Sequence, residues 1–137
     1  MVKAKFKNRT NLSIQDLNKD RNNVVGYIIC FDEQIIGYCQ VYNAYSLFSK
    51  EKIFAESICG VDLFIGNVSF LYKGIGLRIL NELESKILLP HYKWCLADPA
   101  KDNLSAVRAF QKAGFQMLEI LEEKHQYALM IKELIDF

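Results

Sequence analysis

Residues 58–90 read ICGVDLFIGNVSFLYKGIGLRILNELESKILLP, and the order of their parts decides the fold. Ile58 to Ile65 is a short apolar run carrying one charge, Asp62, as a largely buried strand would. Ile75, Ile79, Leu80, Leu83 and Ile87 then recur at helical spacing, with Arg78, Glu82 and Lys86 on the opposite side. Pro90 stops that helix. Between strand and helix lies Leu71-Tyr72-Lys73-Gly74-Ile75-Gly76. Its two glycines let the chain turn tightly and keep side chains away from a ligand. Several backbone N–H groups then point one way at the positive end of the helix dipole, a nest for phosphate or pyrophosphate. A Gly-x-Gly pair also serves close packing of helix on strand, so the pattern alone does not name a ligand. A dinucleotide fingerprint requires a third glycine where Ile79 stands, although Asp98 imitates its acidic ribose ligand. A P-loop requires Gly-Lys-Ser/Thr after a four-residue gap, which is absent here.

Working outward, Val24 to Phe31 (VVGYIICF) and Ile35 to Tyr42 (IIGYCQVY) flank the turn Asp32-Glu33-Gln34 and form a hairpin. Most positions in both strands are apolar, so helices are expected to cover the sheet on both faces. Residues 1–22 are polar, and within them Asn11 to Leu17 is read as a short helix with Leu12, Ile14 and Leu17 partly buried. Residues 43–57 are mixed and are read as a loop with a helical turn. Downstream, Tyr92 to Ala97 is a strand closed by Asp98-Pro99. Asp102 or Asn103 then caps a helix expected to bury Leu104, Val107 and Phe110. Gly114 stands where that helix needs a left-handed residue to end. Phe115 to Leu121 and Tyr127 to Lys132 are a final pair of strands around the turn Glu122 to Gln126. The order is β-β-β-α-β-α-β-β, and residues 58–97 make a right-handed parallel crossover.

The chain's 137 residues suit one domain, 1–137, with a polar segment over 1–23 and a core over 24–132. Seventeen Lys and Arg balance sixteen Asp and Glu, and no basic stripe with interleaved aromatics suggests nucleic acid. The opening MVKAKFKNRT lacks the apolar centre of a signal peptide, and no apolar run is long enough for a bilayer, so no membrane is involved and the cytoplasm is expected. Cys30, Cys39, Cys59 and Cys95 lie in apolar β-like runs without zinc spacing, so they read as reduced core thiols and no metal is expected. Trp94 reads as core; His91 and His125 read as solvated.

Asn103-x-x-Ala106-x-x-x-Phe110-x-Lys112-x-Gly114-Phe115, taken with Leu71 to Gly76, resembles the two signature blocks of the GNAT acyltransferase superfamily in their usual order and spacing. The resemblance covers about residues 24–132 and implies an α/β fold: a mixed central β-sheet flanked by helices, here N-terminally shortened. It implies acetyl-CoA as co-substrate. The pyrophosphate would lie on Leu71, Tyr72, Lys73, Gly74, Ile75 and Gly76, with Phe64, Ile65, Asn103 and Phe110 also contacting the coenzyme. Three further stretches, Glu33 to Tyr42, Gly60 to Gly66 and Ala97-Asp98-Pro99, are similar to the branch holding aminoglycoside 6′-N-acetyltransferases and acyltransferases of hydroxylysine-type siderophore precursors. That likeness implies a small-molecule amine acceptor, with Asp62 as base or acceptor anchor and Asp98 holding a cationic substrate.

The chemistry agrees with the resemblance. A primary amine is mostly protonated at neutral pH and must lose a proton before it attacks a thioester; a carboxylate on a buried strand attracts the ammonium and takes that proton. N–H groups near Ile65 to Asn67 would polarise the thioester carbonyl. Some residues depart from the family. Phe110 stands where many members have a Tyr that protonates the leaving thiolate. Lys50, Lys52, Lys124 and His125 stand in loops that are acidic in antibiotic-modifying relatives. The short N-terminus allows at most one short helix and leaves a strand edge at which two copies would pair. Against N-acetylation of a small amine, such as an aminoglycoside, stand two alternatives: acylation of a hydroxylysine-type metabolite, and a CoA-binding protein without efficient catalysis.

Overall fold

In the computed structural model, which describes residues 12–18, 24–44, 57–66, 74–121 and 126–135, the strand and the helix of the deciding stretch form where its pattern predicts, whereas Leu71 to Lys73 lie outside the described residues. Ile58–Ile65 is a strand, β4, and Ile75–Leu83 is a helix, α1. Three strands precede them: β1 (Leu12–Asn18), β2 (Val24–Phe31) and β3 (Gln34–Asn43). After them come β5 (Trp94–Ala97), α2 (Leu104–Lys112), β6 (Gln116–Leu121) and β7 (Tyr127–Glu133). The strands form one sheet in the order β1-β2-β3-β4-β5-β7-β6. β4 and β5, the two strands joined through α1, are parallel, as the crossover requires; the remaining sheet neighbours are antiparallel.

β1 corrects the sequence reading at 11–17, where a helix was expected. Leu12 and Ile14 join the core while Ser13 and Gln15 point the other way, an alternation of period two. A helix this short is marginal on its own, whereas the edge of β2 offers the segment a ladder from Leu12↔Phe31 to Asn18↔Gly26. The sheet therefore reaches into the polar segment, and the β2 edge expected to pair two copies is covered by β1.

The main core lies between one sheet face and both helices. Cys39, Val41, Cys59, Val61, Cys95, Ala97, Ala128 and Met130 meet Ile75, Ile79, Leu80 and Leu83 of α1 and Val107 and Phe110 of α2. The opposite face carries a smaller cluster of Ala44, Ile58, Leu96, Leu129 and Ile131, against which Tyr42 and Trp94 pack. Among the described residues, both helices thus lie on one face rather than covering the sheet from both sides. All four cysteines are free and buried, and burial pushes the Cys39 thiol up to about 12.

α1 runs directly into a π-helical turn, Glu84–Leu88, in which the Leu89 N–H donates to the Glu84 carbonyl at 2.9 Å. The extra residue moves the buried stripe forward by one. Leu88, five residues after Leu83, is buried, while Ile87 is half-buried.

α2 begins with the Asn103 side chain accepting from the Ala106 N–H at 3.2 Å, so Asn103 is the cap and Asp102 is not. Leu104 is 57% exposed, against expectation, because the first turn of α2 borders a gap in the sheet and the apolar stripe starts at Val107. The helix ends in a Schellman motif. Gly114, at φ 101°, donates to the Gln111 carbonyl, Phe115 donates to the Phe110 carbonyl, and the two phenylalanine rings meet edge to face at 5.0 Å.

Lys132 of β7 ties these helix ends together. Its ammonium pairs with Glu84 of the π turn and donates to the Ala113 carbonyl at the end of α2. Lys132→Met strands the Glu84 carboxylate in a partly dry site and is expected to lower unfolding stability by about 2–3 kcal/mol. Adding Glu84→Leu should recover at least half of that loss in urea denaturation, and a double variant no more stable than the single would show that the pair is not coupled.

Candidate active site

Pairing between β4 and β5 covers Ile58↔Trp94, Cys59↔Cys95 and Gly60↔Leu96, yet β4 continues to Ile65. The cause lies beyond β5. There the chain keeps the register of β7, with Ala97 opposite Met130, the Ala128 N–H donating to the Pro99 carbonyl at 2.8 Å, and Ala100 opposite Tyr127. It follows β7 and leaves β4, so a gap opens between two strands of the sheet. Backbone parity then fixes what β4 offers to it. The Ile58 carbonyl and the Gly66 N–H bond to β3, so even-numbered residues face β3 and the peptide groups of Val61, Leu63 and Ile65 face the gap.

The gap is a cleft of about 240 Å³. β4 lines it with Val61, Asp62 and Leu63, the segment after β5 with Asp98, Pro99 and Ala100, and α2 with Asn103, Ala106 and Phe110. Val61 and Phe110 belong to the core on the helix side, whereas Asp62 shares the other face with Gln40, its partner across β3–β4. The cleft therefore passes through the sheet. It brings together four of the residues expected at a site: Asp62, Asp98, Asn103 and Phe110.

Asp62 is half-buried, and its Oδ2 accepts a hydrogen bond from Gln40 Nε2 at 2.8 Å. Gln40 Oε1 in turn accepts from the Tyr38 hydroxyl at 3.2 Å. Tyr42, next on the same face of β3, lays its ring on the backbone of Gly60, where a Cβ would come within 2.2 Å of it. Burial, then the charges of Asp62 and Asp98, push the Tyr42 phenol up, so it stays a proton donor at neutral pH. Partial burial first, and the Asp62 charge second, raise the Asp98 carboxyl, against a backbone hydrogen bond that lowers it. Two carboxylates thus share one mouth of the cleft, with a phenol near enough to feel both charges. Sequence reading missed Tyr38, Gln40 and Tyr42. The available signal was one polar residue, Gln40, in the apolar run of β3, flanked at period two by tyrosines.

The helix start differs in detail from what its glycines suggested. Gly74 is the N-cap of α1 at φ 73°, and a Cβ there would meet nothing within 4 Å, so glycine is required for the backbone turn. At Gly76 a Cβ would stand 3.3 Å from the Ala109 Cβ, so this glycine serves the approach of α1 to α2. Among the described residues no side chain caps α1, and no acid lies in its first turn, which leaves its N-terminal amides suited to an anion. The Ile75 side chain is in the core, leaving its amide as the group it can offer. Leu71, Tyr72 and Lys73 lie outside the described residues. Phe64 is 66% exposed on the Asp62 face, and Ile65 packs against the core; neither lines the cleft, although the Ile65 peptide faces the gap.

Residues 5–122 match the family model described as an acetyltransferase (GNAT) domain. Over 101 residues the chain is 32% identical to aminoglycoside N(6′)-acetyltransferase type 1 of Klebsiella pneumoniae, an alignment covering 70% of this chain and 49% of that protein. A kanamycin resistance protein of Rhizobium radiobacter is 34% identical over 58 residues, 42% of this chain and 54% of its own. Among solved structures, AAC(6′)-Ib in complex with paromomycin and acetyl-CoA superposes with a TM-score of 0.69 at 27% identity, covering 81% of this chain and 65% of that one. The chain spans about half the length of the curated relatives it matches.

The raised Asp98 carboxyl carries a sign for stability. The folded protein holds this proton more tightly than the unfolded chain, so the contribution is full below the ordinary aspartate value and is lost as pH rises through the raised one. Asp98→Asn is therefore expected to unfold at a modestly higher temperature than the parent at pH 7, with the difference shrinking toward pH 4. A variant less stable than the parent at pH 7 would contradict this.

Proposed function

The chain belongs to the GNAT acetyltransferase domain family, and from that membership we propose that it is an N-acetyltransferase, moving the acetyl group of acetyl-CoA to a primary amine of a small molecule. Aminoglycosides are the first acceptor class to test, since the relatives carry that name. One observation carries the reading: two carboxylates, Asp62 and Asp98, meet at the mouth of a cleft formed where β4 and β5 part.

The two strands and two helices divide the work. The uncapped amides at Gly74 to Gly76 take the pyrophosphate, and the gap takes the pantetheine arm beside Phe110. The Leu63 and Ile65 amides polarise the thioester carbonyl. Asp98 and Asp62 draw the acceptor ammonium to the opposite mouth, and Asp62 receives its proton directly or through one water. The freed nitrogen forms a C–N bond to the carbonyl carbon, the C–S bond breaks, and coenzyme A leaves as a thiolate. The nitrogen loses its second proton as the amide forms; Phe110 has no hydroxyl, so water relays that proton to the thiolate. Such chemistry suits the cytoplasm, and among the described residues no helix is long and apolar enough to cross a membrane.

Calorimetric titration with acetyl-CoA, followed by an amine panel including kanamycin and N-hydroxylysine, tests the reading. Asp62→Asn should lower kcat at least about 100-fold while acetyl-CoA affinity stays within about twofold. Unaltered turnover would remove Asp62 from the chemistry, and no heat with the coenzyme at millimolar concentration would remove the function.

A further inference from the structure

The chain Tyr38 → Gln40 → Asp62 has a direction, and the direction matters. Asp62 offers two carboxylate oxygens, and Gln40 Nε2 holds Oδ2 at 2.8 Å. That bond restrains the carboxylate, and among the described residues Oδ1 is left for another partner. A glutamine amide can present either end. With Oε1 turned to Asp62, a carbonyl dipole would repel the carboxylate. The acceptor-only carboxylate therefore selects Nε2, and the Oε1 left on the other side accepts from the Tyr38 hydroxyl at 3.2 Å, which braces the amide in that orientation. Tyr38 has its own seat: a Cβ at Gly26 would lie 2.7 Å from its hydroxyl oxygen, so glycine on the neighbouring strand is what admits the phenol. Gly26 is also the residue opposite Gln40 across β2–β3. Alternation along β3 places Tyr38 and Gln40 on one face, and the β3–β4 register places Asp62 opposite Gln40. Nothing in this strip belongs to the helix-side core. A polar row built across three strands, with a glycine supplied to admit it, exceeds what the packing of the sheet requires.

We propose that Gln40 is a positioning residue for Asp62, and that Tyr38 braces its amide through Oε1, so that the second carboxylate oxygen meets the acceptor amine in the cleft. The role rests on the acetyl-transfer reading. It adds residues that touch neither coenzyme nor acceptor and act through Asp62. Proton transfer depends steeply on where the accepting oxygen stands, so loosening the tether lowers kcat more than it weakens coenzyme binding.

The test uses the intact chain and three variants, with coenzyme A release measured on the fastest amine of the panel. Gln40→Leu keeps the bulk and removes the donor; it should lose about 10–100-fold in kcat, with acetyl-CoA affinity and unfolding midpoint near the parent's. Gln40→Glu faces Asp62 with a second carboxylate and should move the acid limb of the kcat/KM profile to higher pH. Tyr38→Phe removes the brace on Oε1 and should show a smaller loss of the same kind. A purely structural Gln40 would leave the acid limb in place. The tether is read separately by NMR: the Gln40 side-chain amide protons should shift in Asp62→Asn and Tyr38→Phe. Unshifted amide signals, or a Gln40→Leu enzyme within twofold of the parent with the same acid limb, overturn the proposal. A parent protein that shows the amide shifts but acetylates no amine overturns the acetyl-transfer reading instead, and the positioning role falls with it.

Discussion

β5 cannot follow two neighbours at once, and the rest of the molecule depends on which one it follows. Its antiparallel partner β7 stays in register with it and with the segment beyond, through Pro99 and Ala100, whereas its parallel partner β4 is released after Gly60. Antiparallel pairing is somewhat the more stable per residue, and the pairing beyond Asp98 uses the carbonyl of Pro99, which has no N–H to offer elsewhere. The consequence is a seam in an otherwise continuous sheet. Peptide groups that a ladder would have consumed at Val61, Leu63 and Ile65 face a cleft instead. Such groups are costly when buried without partners, so the seam is a place where a ligand with hydrogen-bonding groups belongs.

The two ends of that seam are chemically different because the sheet has two different faces. The helix side is apolar and lined by Val61 and Phe110. The other side carries Asp62, Asp98, Gln40 and Tyr42, and among the described residues no helix covers it. Gathering two carboxylates beside a half-buried phenol works against the fold, as the raised Asp98 shows. Sites that run chemistry often hold such strain, and the surrounding packing must over-determine it. Here the helix ends are clamped by Lys132 and the α2 terminus by its Schellman turn.

Different kinds of order in the sequence were legible to different degrees. α1 was readable because five apolar positions at helical spacing admit one solution, and the π turn altered it by a single residue at its end. Asp62 stood out as a charge inside an apolar strand, and Asp98 as the residue before the proline that closes one. β1 was misread because Leu12, Ile14 and Leu17 fit helix and strand spacings about equally well, and the free edge of β2 decided between them. Leu104 was assigned to the core on periodicity, which cannot tell that the first turn of a helix borders a cleft. Gly76 was read for its backbone amide, and its packing against Ala109 was not legible because it depends on a second helix distant in the chain.

The sequence by itself determined the elements from β2 onward, the parallel crossover and the resemblance to an acyltransferase family, because these rest on local periodicity, turn residues and spacing along the chain. The tertiary structure decided which strands part, which face each carboxylate occupies, and that Gln40 holds Asp62 from a neighbouring strand. Those facts depend on register between segments twenty or more residues apart. Register is set by the competition of whole ladders for partners, a quantity that no single stretch of residues contains.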